Sequence, residues 1–415
     1  MGKTIAEKIL SSKSNRDARA GDIVIGRVDL LMAQDGTAPL AIRAFEDMGG
    51  TDVWNPERIS LVLDHNAPSP SESVSRIHDG IREFARSQGI GKLYDIGCGV
   101  CHQLMPEQGH VHPGDLVIGA DSHTCTYGAL NAFATGVGST DAAAVMRTGS
   151  LWLRVPSTAS IVLDGELPRG VFAKDVILGV IGRVGASGAT YMSMEFSGEL
   201  VSSLGVDARM TICNMGVEMG AKTAMMESDG KTGEFVGGRC GNPVSPDPDA
   251  SYAWEIEFDA GAMEPLVARP HRVDDVVPVG ELAGTGIQQA FLGTCTNGRL
   301  EDLRVAAGML RGNRVSEGTR LIVAPASREV LKGAIRDGTF EALVESGAVF
   351  VAPGCGPCVG THAGVPGDGE SVISTANRNF KGRMGNGLAS IYLASPATVA
   401  ASAIAGEITD PRDYL

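Results

Sequence analysis

The chain has 415 residues, of which 43% are apolar and 20% are charged, a composition typical of a soluble protein with two or three globular domains. Its formal net charge is −14 at pH 7, so nucleic acid and anionic membranes are not expected partners. If the substrate is itself an anion, the site must concentrate arginine or lysine against this overall charge.

No stretch of the sequence predicts export or a membrane span. Charged residues follow Met1 without an intervening apolar region, so we expect no signal peptide and a cytoplasmic location. The longest uncharged run, 388–406, has the length of a membrane helix. Because Ser390, Pro396 and Ser402 interrupt it, we predict a buried strand followed by a helix instead.

Several short apolar runs lead to polar residues of unusual chemistry. These runs, predicted to be β-strands, occupy 22–29, 59–63, 116–120, 289–293 and 349–352. They lead to Gln34-Asp-Gly-Thr37, Asp64-His-Asn66, Asp121-Ser-His-Thr124, Thr294-Cys-Thr-Asn297 and Cys355-Gly-Pro-Cys358. Amphipathic helices are predicted between them, for example at 71–88 and 301–311. This alternation indicates an α/β fold with parallel sheets, in which ligands bind at the carboxyl ends of the strands.

Changes in composition along the chain predict three domains. A second block begins after Pro156 with a strand and a turn, and the segment 240–275 is rich in proline and aspartate and low in periodicity. We therefore predict domains at 1–155, at 156–275 with 240–275 as a linker, and at 276–415.

Eight cysteines in a chain without a signal peptide are expected to be thiols or metal ligands rather than disulfides. Cys355 and Cys358 follow a predicted buried strand at Cys-x-x-Cys spacing, which suits one metal or a redox pair. The redox interpretation needs a helix that starts at the first cysteine. The glycines and proline of 359–367 do not favour such a helix.

The residues alone leave two metal sites open. Cys98 and Cys101 offer a second Cys-x-x-Cys for a four-cysteine zinc site, although the two pairs are far apart in sequence. Cys295 instead offers a third thiolate for a [4Fe–4S] cluster, which then keeps one open iron as a Lewis acid. The alternative to a metal-binding role is that these cysteines are simply small buried side chains; this alternative applies to Cys98, Cys125, Cys213 and Cys240.

Five motifs occur in one order along nearly the whole chain, and together they resemble the aconitase superfamily. They are Asp121-Ser-His-Thr124, Thr211-Ile-Cys-Asn-Met-Gly216, Gly293-Thr-Cys-Thr-Asn-Gly298, Cys355-Gly-Pro-Cys358 and Asn377-Arg-Asn-Phe-Lys-Gly-Arg383. The chain is most similar to the separate large subunits of the two-subunit branch, which includes 3-isopropylmalate dehydratase and homoaconitase. The resemblance implies three α/β/α domains with mixed, largely parallel sheets around a central cluster site.

The resemblance also implies a partner. The fourth, swivelling domain of the superfamily is a separate small subunit in this branch, and it carries a serine base in a Ser-Ser-Arg-Glu segment. Ser327-Arg-Glu329 repeats part of that segment, but it lies at a predicted helix start and we interpret it as coincidence. We expect the chain to be inactive until the small subunit closes over its site.

The implied reaction is the reversible dehydration of a small 2-hydroxy di- or tricarboxylate, such as an isopropylmalate, a homoaconitase substrate or a methylated malate. By resemblance, Cys295, Cys355 and Cys358 hold one [4Fe–4S] cluster with one open iron. The expected catalytic residues are Asp64, His65, His102, Asp121, Ser122, His123 and Glu218. The expected substrate-binding residues are Gln34, Asn214, Arg378 and Arg383, and Asn297 and Asn377 are expected in the environment of the cluster. The two arginines would supply the local positive charge that an acidic chain needs.

Each of these residues, taken alone, could also have a purely structural role. Asp64-His65 is also typical of a turn at a strand end, and Asp-Ser-His is typical of a helix cap. A rival from a different class is a non-catalytic zinc or redox protein. No motif surrounds the remaining histidines, which we predict to be structural: His78, His110, His112, His271 and His362.

Overall fold

The computed structural model describes residues 2–238 and 241–415, so Cys240 lies outside the described residues. The strands are β1 (Ile23–Arg27), β2 (Leu30–Gln34), β3 (Ile59–Val62), β4 (Lys92–Tyr94), β5 (Leu116–Gly119), β6 (Phe133–Gly136), β7 (Ser150–Arg154), β8 (Thr158–Asp164), β9 (Ser193–Ser197), β10 (Thr223–Met226), β11 (Glu255–Asp259), β12 (Leu266–Ala268), β13 (Val276–Pro278), β14 (Gln289–Leu292), β15 (Arg320–Val323), β16 (Val349–Phe350), β17 (Ser371–Ser374) and β18 (Ser390–Leu393). The α-helices are α1 (Ile5–Ser14), α2 (Ala38–Asp47), α3 (Glu72–Ser87), α4 (Cys101–Glu107), α5 (Ser139–Thr148), α6 (Ala173–Val184), α7 (Glu199–Ser203), α8 (Val206–Asn214), α9 (Gly230–Phe235), α10 (Thr294–Asn297), α11 (Leu300–Leu310), α12 (Arg328–Arg336), α13 (Thr339–Glu345), α14 (Gly356–Val359) and α15 (Pro396–Ala405).

The first sheet is parallel throughout and has the strand order β4-β3-β2-β5-β6. Strands β2, β3 and β5 are buried along their whole length. The strand that leads to Gln34 is therefore β2, and the prediction that the run at 22–29 leads there is wrong. Instead, β1 pairs antiparallel with β7 in a separate ribbon, and its residues alternate between exposed and buried because only one face is covered.

The second sheet is also parallel, with the order β10-β9-β8-β11. The buried side of α6 packs into the same apolar core as this sheet. Strand β11 belongs to this sheet and β12 to the third one, so the described part of 240–275 contributes to two sheets instead of forming only a linker. The domain limits themselves stay a prediction.

The third sheet has the order β13-β12-β18-β17-β14-β15-β16, and its strands from β18 to β16 are parallel. The predicted buried strand before Cys355 is wrong in extent and burial. It is the two-residue edge strand β16, in which Val349 is 57% exposed. Its position at the end of the sheet explains this exposure, since no further strand among the described residues covers it.

The other predicted elements agree with the structure. The helices predicted at 71–88 and 301–311 are α3 and α11, and the uncharged run 388–406 forms β18 and α15. Within the described residues, no helix has the length and apolar character needed to cross a bilayer. Several mainly parallel sheets confirm the predicted α/β fold class.

Candidate active site

Residues that follow strands of the first and third sheets surround one cavity of about 210 Å³. Its lining residues are Gln34, His65, His102, Asp121, Ser122, His123, Thr294, Cys295, Cys355, Cys358, Val359, Asn377, Arg378 and Arg383. All of these except Thr294 and Val359 are among the predicted site residues. Strand ends from two sheets therefore meet at one place, as the α/β pattern predicts.

The three cavity cysteines lie next to or within very short helices. Cys295 belongs to α10, directly after β14, while Cys355 immediately precedes α14 and Cys358 lies within it. All three thiols are free and buried. Helix α14 has only 4 residues and is followed by the cap residue Gly360, where φ is +69°. This agrees with the prediction that no longer helix starts at Cys355.

A close backbone contact places the Cys355 segment against the first sheet. The N–H of Cys355 donates to the carbonyl oxygen of Asp64 over 2.8 Å. A Cβ atom at Gly354 would lie 2.8 Å from the same oxygen, so a side chain at that position would push the two segments apart. Glycine therefore allows Cys355 and the Asp64-His65 pair to share one site.

Amide and guanidinium groups surround two of the sulfur atoms. Nδ2 of Asn214 lies 3.2 Å from Sγ of Cys295, and Nδ2 of Asn377 lies 3.6 Å from it. Nη2 of Arg383 donates to Sγ of Cys358 over 3.4 Å. Such donors favour a thiolate, but burial raises the pKa of Cys295 to about 11. The site therefore suits thiolates that also bind a positive metal centre.

The donor set fits an iron–sulfur cluster better than zinc. Three buried thiols serve a cluster with one open iron, whereas structural zinc takes four protein ligands. Among the described residues, Cys98 and Cys101 do not line the cavity with Cys355 and Cys358. In addition, Oδ1 of Asn377 and Nε of Arg383 are buried without a hydrogen-bond partner among the described residues, which leaves them for a bound group.

His65 lies between two carboxylates. Its Nδ1 is 2.8 Å from Oδ1 of Asp64, and its Nε2 is 3.4 Å from Oδ2 of Asp121. The second oxygen of Asp64 accepts the N–H of Cys101 over 2.7 Å. Burial by itself lowers the pKa of His65, but Cys355, Asp64 and Asp121 outweigh burial and raise it well above its ordinary value.

Asp121 connects the histidines of the cavity. Its Oδ1 lies 2.8 Å from Nε2 of His102 and accepts the N–H of His123 over 2.9 Å. Burial opposes the charged form of Asp121, yet His102, His123 and His65 hold its pKa well below the ordinary range. The carboxylate is therefore ionised and keeps these imidazole rings in fixed orientations.

Glu218 links the histidines to the arginines. Its Oε1 lies 2.8 Å from Nε2 of His123, and Nε of Arg378 donates to its two oxygens over 2.8 and 3.0 Å. Burial acts to raise the pKa of Glu218, but His123 and Arg378 hold it below the ordinary value. Arg378 therefore reaches the cavity with its guanidinium plane already fixed by a carboxylate.

Four predicted residues do not line the cavity. Asp64, Asn214 and Glu218 each contact a residue that does: His65, Cys295 and His123 respectively. The amide of Asn297 instead donates to Thr211 and Asp302, and Asn297 is not among the described lining residues. Its predicted place beside a cluster therefore has no contact to support it.

Two buried residues of the site were missed by the sequence analysis. Asp35 accepts the backbone N–H groups of Asp64, His65 and Asn66 over 3.2, 2.8 and 2.9 Å. The guanidinium of Arg299 donates to the carbonyls of Cys295 and Thr296, each over 2.6 Å. A signal for Asp35 existed in its position directly after Gln34, whereas a lone arginine near Cys295 carries no pattern.

Comparison with known proteins gives a consistent result. The sequence profile described as the aconitase family (aconitate hydratase) matches residues 7–406. The 3-isopropylmalate dehydratase large subunit 1 of Methanopyrus kandleri is 55% identical over 418 residues, which cover 100% of both chains. A probable methanogen homoaconitase large subunit of Methanosarcina mazei is 53% identical and covers 94% of this chain and 100% of its own.

A solved structure agrees in fold. Aconitase X of Thermococcus kodakaraensis has a TM-score of 0.53 to this chain at 14% identity, with 92% of each chain covered. The profile match spans nearly the whole sequence and the relatives match along their full length. This chain belongs to the aconitase family and is a hydro-lyase of that family.

Proposed function

We propose that this chain is the large, cluster-bearing subunit of a two-subunit hydro-lyase. It converts 2-isopropylmalate into 3-isopropylmalate, a step of leucine biosynthesis, in the cytoplasm. The observation that best supports this proposal is a single cavity lined by three buried cysteines and two arginines. Cysteines suit a cluster and arginines suit carboxylates, and a dehydratase of hydroxy acids needs both.

The cofactor of the proposal is one [4Fe–4S] cluster on Cys295, Cys355 and Cys358. When bound, the cluster supplies a Lewis acid at the iron that no thiolate holds. The chain offers hydrogen-bond donors to two of the sulfur atoms that would hold it, since Asn214 donates to Cys295 and Arg383 donates to Cys358. All three cysteines line the same cavity.

Arginine side chains would bind the carboxylates of the substrate. Arg378 and Arg383 bring two positive charges to the cavity of a chain whose net charge is −14. Glu218 binds Nε of Arg378, and a guanidinium held in this way is preorganised for two parallel hydrogen bonds to a carboxylate. Gln34 also lines the cavity and would donate to a second carboxylate.

His65 would donate a proton to the leaving hydroxyl, which then departs as water. Asp64 binds Nδ1 of its ring, so the proton is transferred at Nε2. Asp121, held between His65 and His102, would keep Nε2 in place. Ser122 and His123 line the same cavity and would bind the substrate hydroxyl.

A small subunit would supply the base that removes the proton from the adjacent carbon. Both curated relatives described above are named large subunits, which supports a separate partner. Ser327 is not available for this role, because it is buried and its Oγ accepts the N–H of Val330 as the cap of α12. We infer that the partner is a swivelling domain with a serine base that closes over the cavity.

A homoaconitase is the second candidate, because a relative with that name is 53% identical to this chain. The test is to produce the chain anaerobically together with small subunits of both types and to assay 2-isopropylmalate and homoaconitate. We expect turnover of 2-isopropylmalate with the matching small subunit and none with the Cys295→Ser chain. Turnover of homoaconitate alone would select the second candidate, and turnover of neither substrate with iron present would contradict the proposal.

A further inference from the structure

Lys174 is a buried cation beside the active site that neither the motifs nor the proposed chemistry uses. It is the second residue of α6, and its side chain is fully buried. Its Nζ donates to the carbonyl oxygens of Thr375 over 2.9 Å and of Ala376 over 2.6 Å. These two residues directly precede Asn377 and Arg378, so Lys174 binds the backbone that carries both into the cavity.

The segment that Lys174 binds also forms hydrogen bonds to the turn that precedes Cys295. Oγ1 of Thr375 accepts the N–H of Gly293 over 2.9 Å and donates to its carbonyl oxygen over 3.0 Å. Gly293 precedes Thr294 and Cys295 in the chain. The ammonium group therefore fixes a point from which both the Cys295 turn and the donor Asn377 are positioned.

The charge of Lys174 is not matched by a carboxylate at close range. Among the described residues, no carboxylate oxygen lies within the 4.0 Å of an ion pair, and the adjacent Asp175 accepts the N–H groups of Phe172 and Leu266 instead. Burial lowers the pKa of Lys174 to about 7, while Asp302, Cys358 and Cys295 act in the opposite direction. An unpaired buried cation is costly, and nearby thiolates would offset that cost.

We propose that Lys174 is a positioning residue that holds the 375–378 segment and serves as the positive counter-charge of the cluster site. This inference rests on the proposed cluster. When three buried thiolates bind an iron–sulfur centre, the site carries negative charge in a region of low dielectric constant, where a buried cation that binds the backbone of the cavity wall acts strongly. Neutralising Lys174 would therefore weaken retention of the cluster and make its reduction harder.

A second lysine of the chain provides a matched control. Lys231 of α9 also donates to backbone carbonyls, those of Ser202, Ser203 and Leu204, over 2.8, 2.6 and 3.3 Å. It is exposed and lies outside the cavity lining. A lysine that merely stabilises the backbone should respond to substitution as Lys231 does.

The experiment uses the full chain, reconstituted anaerobically, as wild type and as the variants Lys174→Met, Lys174→Gln, Lys174→Arg and Lys231→Met. Iron and sulfide per chain, the rate of cluster loss to a chelator and the midpoint potential of the cluster are measured. For the two neutral variants at Lys174 we expect cluster loss about tenfold faster and a more negative potential. Lys174→Arg and Lys231→Met should both stay close to the wild type.

The outcomes separate this inference from the proposed function. A wild-type chain that binds no iron and sulfide would overturn the proposed function and this inference together. A normal wild-type cluster with an unchanged loss rate and potential in Lys174→Gln would overturn this inference alone. An equal effect of Lys231→Met would also overturn this inference, since the effect would then not depend on the cluster site. Failure of both neutral variants at Lys174 to fold would overturn it as well, since Lys174 would then stabilise the fold as a whole.

Discussion

Nε2 of His78 lies 3.0 Å from Oδ2 of Asp35, and both side chains are buried. The same carboxylate accepts three successive backbone N–H groups from the turn that carries His65. His78 lies on α3, so this pair connects that helix to the turn that carries the proposed acid. The relationship predicts that groups outside the cavity control how His65 is oriented.

The substitution Asp35→Asn replaces a charged acceptor of four hydrogen bonds with a neutral one. Hydrogen bonds to a charged group are each worth about 1.5–3 kcal/mol, so the turn should lose its fixed position. We expect kcat to fall at least about tenfold with little change in KM, because the arginines proposed to bind the substrate are not affected. His112→Gln, at a half-buried histidine beside Asp115, is the control. A kcat equal to that of the wild type would show that Asp35 does not position His65.

The substitution Arg378→Lys keeps the charge but loses the planar fork. Lysine cannot bind Glu218 through one nitrogen and a carboxylate through two others. We expect kcat/KM to fall, mostly because KM rises. The loss should correspond to about 2–3 kcal/mol of transition-state stabilisation. Arg272→Lys is the matched control, because that arginine is exposed and pairs with Asp274. An unchanged KM would exclude Arg378 from carboxylate binding.

Cys295→Ser removes the third proposed ligand and leaves Cys355 and Cys358. We expect little or no iron and sulfide after anaerobic reconstitution, since two thiolates hold a cube poorly. The matched control is Cys98→Ser, at a half-buried cysteine outside the cavity lining. The measurement is the iron and sulfide content of both variants after reconstitution. A full cluster in Cys295→Ser would exclude Cys295 as a ligand.

Buried Glu195 gives a pH dependence of stability with a definite sign. Burial raises its pKa from 4.5 to about 7, although it accepts the N–H of Ile5 and the hydroxyl of Tyr252. An acid whose pKa is raised by folding costs no stability below pH 4.5, and the cost then grows until about pH 7. Glu195→Gln should therefore be more stable than the wild type at pH 8, by roughly 1–3 kcal/mol.

The check is urea unfolding of both chains at pH 5 and pH 8. The advantage of Glu195→Gln should be small at pH 5 and grow with pH. Glu199→Gln, at an exposed position, should show no such change. An advantage of equal size at both pH values would mean that the carboxyl group of Glu195 is not the cause.

The motif residues could be predicted because each follows an apolar run, and parallel strands bring their carboxyl ends together. Cys295 and Cys355 are 60 residues apart in the sequence, yet β14 and β16 deliver both to one cavity. The resemblance to a family then named residues that spacing could not, such as Arg383. Their individual roles stay predictions until variants are measured.

Other features could not be predicted because they depend on tertiary contacts. Nothing in the sequence near Lys174 indicates that its ammonium group meets the carbonyls of Thr375 and Ala376, about 200 residues away. The exposure of Val349 was missed because a run of β-branched residues reads the same at a sheet edge and at its centre. The resemblance predicts Asn297 in the environment of the cluster, but it gives no sign that the amide donates to Asp302.

Cys295, Cys355 and Cys358 are proposed to hold a catalytic iron–sulfur cluster. The most direct measurement is the content of iron, labile sulfide and zinc in the chain purified anaerobically. We expect close to the full content of a [4Fe–4S] cluster, about four iron and four sulfide per chain, and no zinc. Stoichiometric zinc without iron or sulfide would contradict the presence of this cluster.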